Sequence, residues 1–124
     1  MPPASEPRTV LLVDDDPGVR HTLARFLGFE GFSVVEAGNG QEALVHLRRG
    51  CAAEAIVLDL RMPVMDGWTF RRAQRSDPAI ADIPVIVLSG ADAHRFSELD
   101  AAAAFEKPVT MSQIADQLRR IFAS

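Results

Sequence analysis

Four separate apolar runs in the sequence each end in polar side chains that can bind ions. The runs cover residues 9–13, 55–58, 85–88 and 104–106, and they lead into an aspartate triplet at 14–16, Asp59, Ser89 and Lys107. In open parallel α/β sheets, ligands bind in the crevice outside the carboxyl ends of the strands. If the four runs are parallel strands, carboxylates, a hydroxyl and an ammonium group converge at one edge. The pattern therefore predicts a binding site at that edge.

Amphipathic segments separate the apolar runs. After the first run, Asp16 is a helix N-cap and Pro17 occupies the first helical position, a preferred start of a helix. Apolar residues then recur at helical spacing, which predicts a buried helix face made of Val19, Leu23, Phe26 and Leu27.

The rest of the chain repeats this alternation. We predict a strand at 32–37, helices at 41–49 and 66–76, and a weaker alanine-rich helix between Asp92 and Ala103. A capping box at 110–113 opens the last helix, in which the apolar residues should be buried: Met111, Ile114, Leu118, Ile121 and Phe122.

Short apolar strands that alternate with amphipathic helices indicate a parallel sheet with helices on both faces, because crossover connections are right-handed. We therefore predict an α/β fold with a doubly wound five-stranded parallel sheet in the flavodoxin-like order 2-1-3-4-5. This order puts the switch point between strands 1 and 3, which end at the aspartate triplet and at Asp59. We assign residues 9–124 to this domain and the Pro-rich residues 1–8 to a flexible leader.

The charge and the cysteine content narrow the class of protein. The formal net charge is −4 and both signs are mixed along the chain, so no basic stripe points to nucleic acid as a partner. The first residues have neither the apolar core of a signal peptide nor a membrane anchor. A lone cysteine, Cys51, cannot form an internal disulfide. We expect a cytoplasmic protein that binds no membrane.

Asp14, Asp15 and Asp59 should repel one another if they lie at one sheet edge, so a cation is expected between them. Mg²⁺ fits because it takes hard oxygen ligands and leaves room for phosphate oxygens. An isolated aspartate triplet is more often a helix cap with solvated neighbours. The three other polar strand ends favour the metal site here.

Asp59 lies at the centre of the predicted edge and could accept a phosphoryl group as a carboxylate nucleophile. Phosphoryl transfer needs mainly positioning and charge neutralisation. The ammonium of Lys107 and the hydroxyl of Ser89 could each bind one phosphoryl oxygen. Taken alone, Lys107 could equally be a solvated loop lysine and Ser89 a loop cap.

Together these residues resemble the receiver domain of bacterial two-component response regulators. The motifs that carry the resemblance are Val-Asp-Asp-Asp-Pro at 13–17, Leu-Asp at 58–59, Met-Pro-Val-Met-Asp-Gly at 62–67, Leu-Ser-Gly at 88–90 and Lys-Pro at 107–108. The resemblance extends from Thr9 to Ser124.

The resemblance implies a role for each site residue. Asp59 would be the phosphoacceptor, Asp15 a direct Mg²⁺ ligand and Asp14 its partner, often through water. The main-chain carbonyl of Arg61 would complete the metal shell. Ser89 and Lys107 would bind the phosphoryl group, and the peptide bond between Lys107 and Pro108 would be cis.

Two features depart from the family's pattern. Ala104 stands where receivers usually have an aromatic residue that moves inward on activation, and Phe105 follows one residue later. The stretch from Ser89 to Lys107 is also about one helical turn shorter than usual. Both departures fall on the face that receivers commonly use for output or dimerisation. The resemblance therefore predicts the phosphorylation chemistry but leaves the mode of switching open.

The predicted function is that of a phosphoacceptor signalling domain. A sensor histidine kinase or a histidine phosphotransferase would donate the phosphoryl group, and phosphorylation would change the binding of an output protein that the sequence does not identify. We expect a monomer or a weak dimer that catalyses only its own phosphorylation and dephosphorylation. Because the last predicted helix ends near Ser124, the chain is either a stand-alone receiver or a piece of a larger regulator.

Two alternatives belong to other classes. A phosphatase of the haloacid dehalogenase type also uses an aspartate nucleophile on a parallel sheet, but it requires Thr or Val where this chain has Gly18. A pseudo-receiver would keep the fold as a protein-interaction module without accepting phosphate. The presence of Asp59, Lys107 and the other site residues argues against it.

Overall fold

Five parallel strands form one sheet in the computed structural model, which describes residues 7–90 and 93–123. The strands are β1 (Thr9–Val13), β2 (Ser33–Ala37), β3 (Ala55–Asp59), β4 (Val85–Ser89) and β5 (Ala103–Glu106). Their order across the sheet is β2-β1-β3-β4-β5. This order confirms the predicted doubly wound topology.

In the described part of the chain, four α-helices cover the two faces of the sheet: α1 (Pro17–Phe29), α2 (Gly40–Arg48), α3 (Gly67–Arg75) and α4 (Met111–Ala123). Each begins at a side chain that accepts backbone N–H groups of the first turn. Asp16 caps α1, Asn39 caps α2 and Asp66 caps α3. The capping box of α4 is also present, because the N–H of Gln113 donates to Thr110 Oγ1 at 3.1 Å and the N–H of Thr110 donates to Gln113 Oε1 at 2.8 Å.

The connection between β4 and β5 differs from the prediction. The alanine-rich segment was expected to form a weak helix, but residues Ala93–Leu99 form a 3₁₀-helix instead. The alanines that follow belong to the sheet rather than to a helix. The N–H of Ala102 donates to Val85 O at 2.9 Å, and β5 begins at Ala103. Residues 100–102 separate the two elements, and Asp100 has a left-handed φ of 48°.

Some predictions concern residues outside the described ranges. The predicted leader covers residues 1–8, of which the structure does not describe residues 1–6. Asp92, at the start of the predicted fourth helix, and Ser124 also lie outside the described residues. Within residues 7–90 and 93–123, no helix is long and apolar enough to cross a membrane.

Alternate residues of the strands point to two separate apolar cores. On the first side, which we call the α1–α4 face, strand residues such as Leu12 and Val57 pack with Leu27 of α1 and Leu118 of α4. On the second side, the α2–α3 face, the other strand residues pack with Leu44 of α2, Phe70 of α3 and Leu99 of the 3₁₀-helix. Burial on both faces explains why the strands read as continuous apolar runs.

Candidate functional site

Asp59 and Lys107 meet at the carboxyl edge of the sheet. Asp59 is the last residue of β3 and is 5% exposed, so strand pairing fixes its position. The ammonium of Lys107 donates a hydrogen bond to Asp59 Oδ2 at 3.0 Å, and the backbone N–H of Arg61 donates to Asp59 Oδ1 at 3.2 Å. Both carboxylate oxygens therefore already accept hydrogen bonds.

Three carboxylates lie together at this edge. One carboxylate oxygen from each of Asp14, Asp15 and Asp59 lies within 4.8 Å of the other two. Asp14 and Asp59 are buried, whereas Asp15 is exposed. This is an oxygen donor set of high negative charge with one open side, which is the chemistry that a hard divalent cation requires.

The electrostatics of Asp14 agree with a crowded anionic site. Burial raises the pKa of its carboxyl above the ordinary value, and the charges of Asp59 and Asp15 raise it further. The backbone N–H of Asp16, which donates to Asp14 Oδ1 at 2.9 Å, and the charge of Lys107 oppose the rise in this pKa. A cation bound here would relieve the repulsion among the carboxylates.

Ser89 is the last residue of β4 and is fully buried. Asp59 pairs with Leu88 in the register of β3 and β4, so Ser89 lies one residue further along the neighbouring strand. Its carbonyl oxygen accepts the backbone N–H of Lys107 at 2.8 Å. Main-chain pairing thus links Ser89 to Lys107, and the peptide bond from Lys107 to Pro108 is cis, as the resemblance implies.

The loop after Asp59 is packed tightly against the strand end. A Cβ atom at Gly67 would lie 2.7 Å from Leu60 Cα, which is closer than any real contact allows, so glycine is required there. The N–H of Gly67 also donates to Leu60 O at 2.9 Å. In the loop between Leu60 and Gly67, the side chain of Val64 is 83% exposed. Its φ of 69° is a left-handed conformation that is strained for a β-branched residue.

An apolar cavity of about 700 Å³ adjoins the site between α1 and α4. Asp14 and Lys107 line its polar end, and Val19 and Met111 line its apolar part. The prediction that Val19 and Met111 are buried was wrong, because they are 53% and 37% exposed. Both lie in the first turn of their helix, where they border this open cavity rather than the core.

The structure brings together Asp14, Asp15, Asp59 and Lys107, and it puts Ser89 on the adjacent strand. Arg61 contacts the site through its backbone N–H, which donates to Asp59 Oδ1. That its main-chain carbonyl binds the metal stays a prediction. Sequence reasoning missed Arg20, whose guanidinium donates to Asp14 O at 2.8 Å and pairs with Glu36 at 3.0 Å. No motif signals that contact, because Glu36 is brought close only by the pairing of β1 with β2.

Comparisons with known proteins agree with this geometry. The family model of the response regulator receiver domain matches residues 10–119. The response regulator MprA of Mycolicibacterium vanbaalenii is 38% identical over 119 residues, which cover 93% of this chain and 50% of that protein. The chain thus spans about half the length of this curated relative.

Solved structures show the same fold. The receiver domain of a signal transduction histidine kinase from Syntrophus aciditrophicus superposes with a TM-score of 0.86 at 28% identity, covering 94% of this chain and 90% of that one. The response regulator TrrA of Thermotoga maritima, in complex with Mg²⁺-BeF, gives 0.79 at 27% identity, covering 92% and 98%. The chain belongs to the receiver domain family of response regulators, the phosphoacceptor domains of two-component signalling.

Proposed function

We propose that Asp59 accepts a phosphoryl group from a phosphohistidine donor. The observation that carries this proposal is the buried Asp59 carboxylate, with Lys107 Nζ at 3.0 Å and two further carboxylates beside it. A carboxylate oxygen of Asp59 would attack phosphorus, the P–N bond of the donor would break, and the neutral imidazole would leave after taking up a proton. The product would be an acyl phosphate on β3.

We propose that Asp14, Asp15 and Asp59 hold Mg²⁺ together with the main-chain carbonyl of Arg61. The three carboxylates supply the charge and the oxygen donors that this ion prefers. The ion would neutralise charge on the phosphoryl oxygens during transfer. TrrA in its complex with Mg²⁺-BeF supports a shared ligand chemistry in this fold.

Lys107 and Ser89 would bind the phosphoryl group after transfer. Lys107 now pairs with Asp59, so on phosphorylation its ammonium would turn from the carboxylate to a phosphoryl oxygen a short distance away. Ser89 would donate its hydroxyl to another oxygen. The backbone bond from Lys107 N–H to Ser89 O would keep the two side chains on neighbouring strands during this change.

The phosphoryl donor would be a sensor histidine kinase or a histidine phosphotransferase. The apolar cavity beside Asp14 and Lys107, with Val19 and Met111 exposed at its edge, offers a docking surface next to the reacting carboxylate. We further propose a cytoplasmic location, where such donors receive phosphate from ATP, and a monomer or weak dimer. The chain would act on no substrate other than its own aspartyl phosphate.

Intact mass spectrometry after incubation with acetyl phosphate and Mg²⁺ tests the proposal. The wild type should gain the mass of one phosphoryl group, and Asp59→Asn should gain none, because an amide is a poor nucleophile. Asp16→Asn is the matched control, since Asn caps a helix as well as Asp and lies outside the carboxylate cluster. An adduct on Asp59→Asn would show that another residue accepts the phosphoryl group.

The two alternatives predict other results. A pseudo-receiver would form no adduct on the wild type. A phosphatase would turn over many phosphate esters freely, which membership of the receiver family argues against.

The switch should act through the segment after Ser89. Ala104 is exposed and small, and Phe105 on the opposite side of β5 packs against the α1–α4 core. We therefore expect that a beryllofluoride mimic of the phosphoryl group changes hydrogen exchange strongly in residues 90–99 and little in residues 104–106. A large change centred on Phe105 would show that this ring performs the role of the missing aromatic residue.

A further inference from the structure

A cleft rich in arginine lies between α3 and the 3₁₀-helix, on the side of the domain away from α1 and α4. Its volume is about 290 Å³, and it is lined by Trp68, Arg71, Arg72, Arg75, Arg95, Glu98 and Leu99. Among the described residues that line it, four arginines face one glutamate, in a chain whose formal net charge is −4. The cleft is thus a local concentration of positive charge on an acidic protein, and we call it the arginine cleft.

The arginines of the cleft differ in what they bind. Arg71 is buried and holds the end of the 3₁₀-helix, donating to Leu99 O at 2.8 Å and Asp100 O at 2.7 Å. Arg72 and Arg75 are exposed, with long contacts to Thr69 Oγ1 at 3.4 Å and Glu98 O at 3.5 Å. Within residues 7–90 and 93–123, neither Arg72 nor Arg75 forms a salt bridge.

Trp68 provides an aromatic surface beside these charges. The guanidinium carbon of Arg95 lies 4.0 Å from the centroid of its ring, a cation–π contact that joins the 3₁₀-helix to α3. Trp68, Arg72 and Arg75 follow one another at spacings of four and three residues, so they lie along one face of α3. This face combines an amphipathic ring with two exposed cations.

We propose that the arginine cleft docks an acidic segment of a partner protein. Carboxylates of the segment would pair with Arg72 and Arg75, and an apolar side chain would cover the exposed part of Trp68. The complementarity of charge argues for an anionic partner. The row of three side chains along a helix argues for a polypeptide, because it offers an extended contact rather than one enclosed pocket.

The charge balance inside the cleft agrees with an anionic partner. The pKa of Arg71 is lowered by burial and by the nearby charge of Arg75, whereas Asp100 opposes this effect on its pKa. A carboxylate between the two arginines would remove part of this repulsion.

Docking should respond to phosphorylation, and this part of the inference depends on the proposed function. One wall of the cleft is α3, and the other is the 3₁₀-helix in the segment that follows Ser89. A movement of Ser89 toward the phosphoryl group would shift that second wall and Arg95 with it.

The fluorescence of Trp68, the only tryptophan of the chain, can report binding directly. The probe is a synthetic peptide of glutamate and leucine without aromatic residues, titrated at low salt into the full chain. We expect saturable binding to the wild type and an affinity about tenfold weaker for Arg72→Gln/Arg75→Gln. The matched control is Arg25→Gln/Arg49→Gln, which removes the same charge from two exposed arginines elsewhere. The control should bind as the wild type does.

Several results would overturn the inference. Equal losses of affinity in both double variants would show an unspecific effect of net charge, and no change in Trp68 emission would show that the cleft does not bind the peptide. Tighter binding of single-stranded poly-dT or of tripolyphosphate than of the peptide would assign the cleft to nucleic acid or to a small phosphate ligand instead.

The dependence on phosphorylation is tested separately. Beryllofluoride with Mg²⁺ should change the affinity of the wild type for the peptide by about threefold or more and leave that of Asp59→Asn unchanged. Equal affinities in the wild type with and without the mimic would overturn the coupling. Because peptide binding is measured without phosphorylation, a failed phosphoacceptor test at Asp59 would not by itself affect the docking result.

Discussion

The two faces of the sheet are stabilised by different means. On the α1–α4 face, two helices of 13 residues each supply apolar side chains that cover the strands. On the α2–α3 face, two helices of 9 residues and the 3₁₀-helix leave more irregular backbone to be covered. There, buried polar side chains bind main-chain carbonyls: Gln74 donates to Ile80 O at 2.9 Å and Ile83 O at 3.0 Å. Where helices are short, side chains must satisfy the backbone groups that a longer helix would pair.

Two of the buried charges, Arg71 and Asp14, lie on different sides of the sheet and differ in the groups that surround them. Arg71 on the α2–α3 face is 7% exposed and donates to two carbonyls and to Gln74 Oε1 at 2.8 Å. Asp14, which lines the cavity between α1 and α4, is 6% exposed and lies beside two other carboxylates. Arg71 is therefore surrounded by hydrogen-bond acceptors, whereas Asp14 lies among charges of its own sign.

The largest effect should come from the apolar core of the α1–α4 face. Leu118 is fully buried, so Leu118→Ala should lower the free energy of unfolding by about 3 kcal/mol through lost burial and a new cavity. Met111→Ala on the same helix, at a side chain that is 37% exposed, should cost much less. Urea denaturation of both variants checks this. Equal losses would show that the face does not depend on its apolar interior.

Next in size is the polar network of the α2–α3 face. Arg71→Met keeps the bulk but leaves Leu99 O and Asp100 O without this donor, and it should cost about 2 kcal/mol. Arg72→Met, one residue along the helix and exposed, is the matched control and should be nearly neutral. Hydrogen exchange should show faster opening of residues 93–103 in Arg71→Met. Unchanged stability would remove the proposed contrast between the faces.

Neutralising the buried charge of Asp14 should change the stability in the opposite direction. In EDTA, Asp14→Asn should raise the free energy of unfolding by about 1 kcal/mol, because it removes like-charge repulsion and can still accept the N–H of Asp16. Asp15→Asn, at an exposed carboxylate, should raise it less. Denaturation curves recorded in EDTA measure both.

The gain from Asp14→Asn should also depend on pH in a defined direction. Because the pKa of Asp14 is raised in the folded state, that state holds the proton more tightly than the unfolded chain, so protonation stabilises the wild type. The advantage of the variant should be full near neutral pH, decline as the pH falls below the folded-state pKa and vanish below the lower pKa of the unfolded chain. An advantage that grows in acid would contradict this account.

The smallest effect is expected at Val64. Val64→Gly should stabilise the protein by about 1 kcal/mol or less, because glycine adopts a φ of 69° without strain. The same substitution at Val45, inside α2, should destabilise by a similar amount because glycine weakens a helix interior. Thermal unfolding of the pair measures this, and a destabilised Val64→Gly would mean that the valine side chain makes a contact worth more than the strain.

Much of the fold could be predicted because the signals are local. The five strands are apolar runs, and the cap residues Asp16 and Asp66 lie next to the helices that they begin. The site could be predicted because parallel strands bring their ends together, so Asp59 and Lys107 meet although 48 positions separate them. The resemblance to receivers then supplied the roles.

The remaining features depend on contacts that a sequence pattern does not encode. The 3₁₀-helix is held by Arg71, which lies 28 residues before Leu99. The sequence of the segment itself therefore does not predict this helix type. The exposure of Val19 follows from where α1 begins relative to the sheet, not from its helical spacing. Val64 adopts a conformation that its own propensity opposes, and the surrounding loop imposes it.

The tight packing of Gly67 has a mechanical consequence. The first residue of α3 lies so close to Leu60 and to Asp59 O that a Cβ atom would not fit there, and its N–H donates to Leu60 O at 2.9 Å, so the start of α3 is held against the end of β3. Over the residues that the structure describes, the 3₁₀-helix opposite has no such contact with β3, and it is followed by Asp100, which has a left-handed φ of 48°. We therefore expect that the proposed movement of Ser89 on phosphorylation would alter the gap between these two elements, so the width of the gap would report the state of Asp59 at a distance from the reacting atoms.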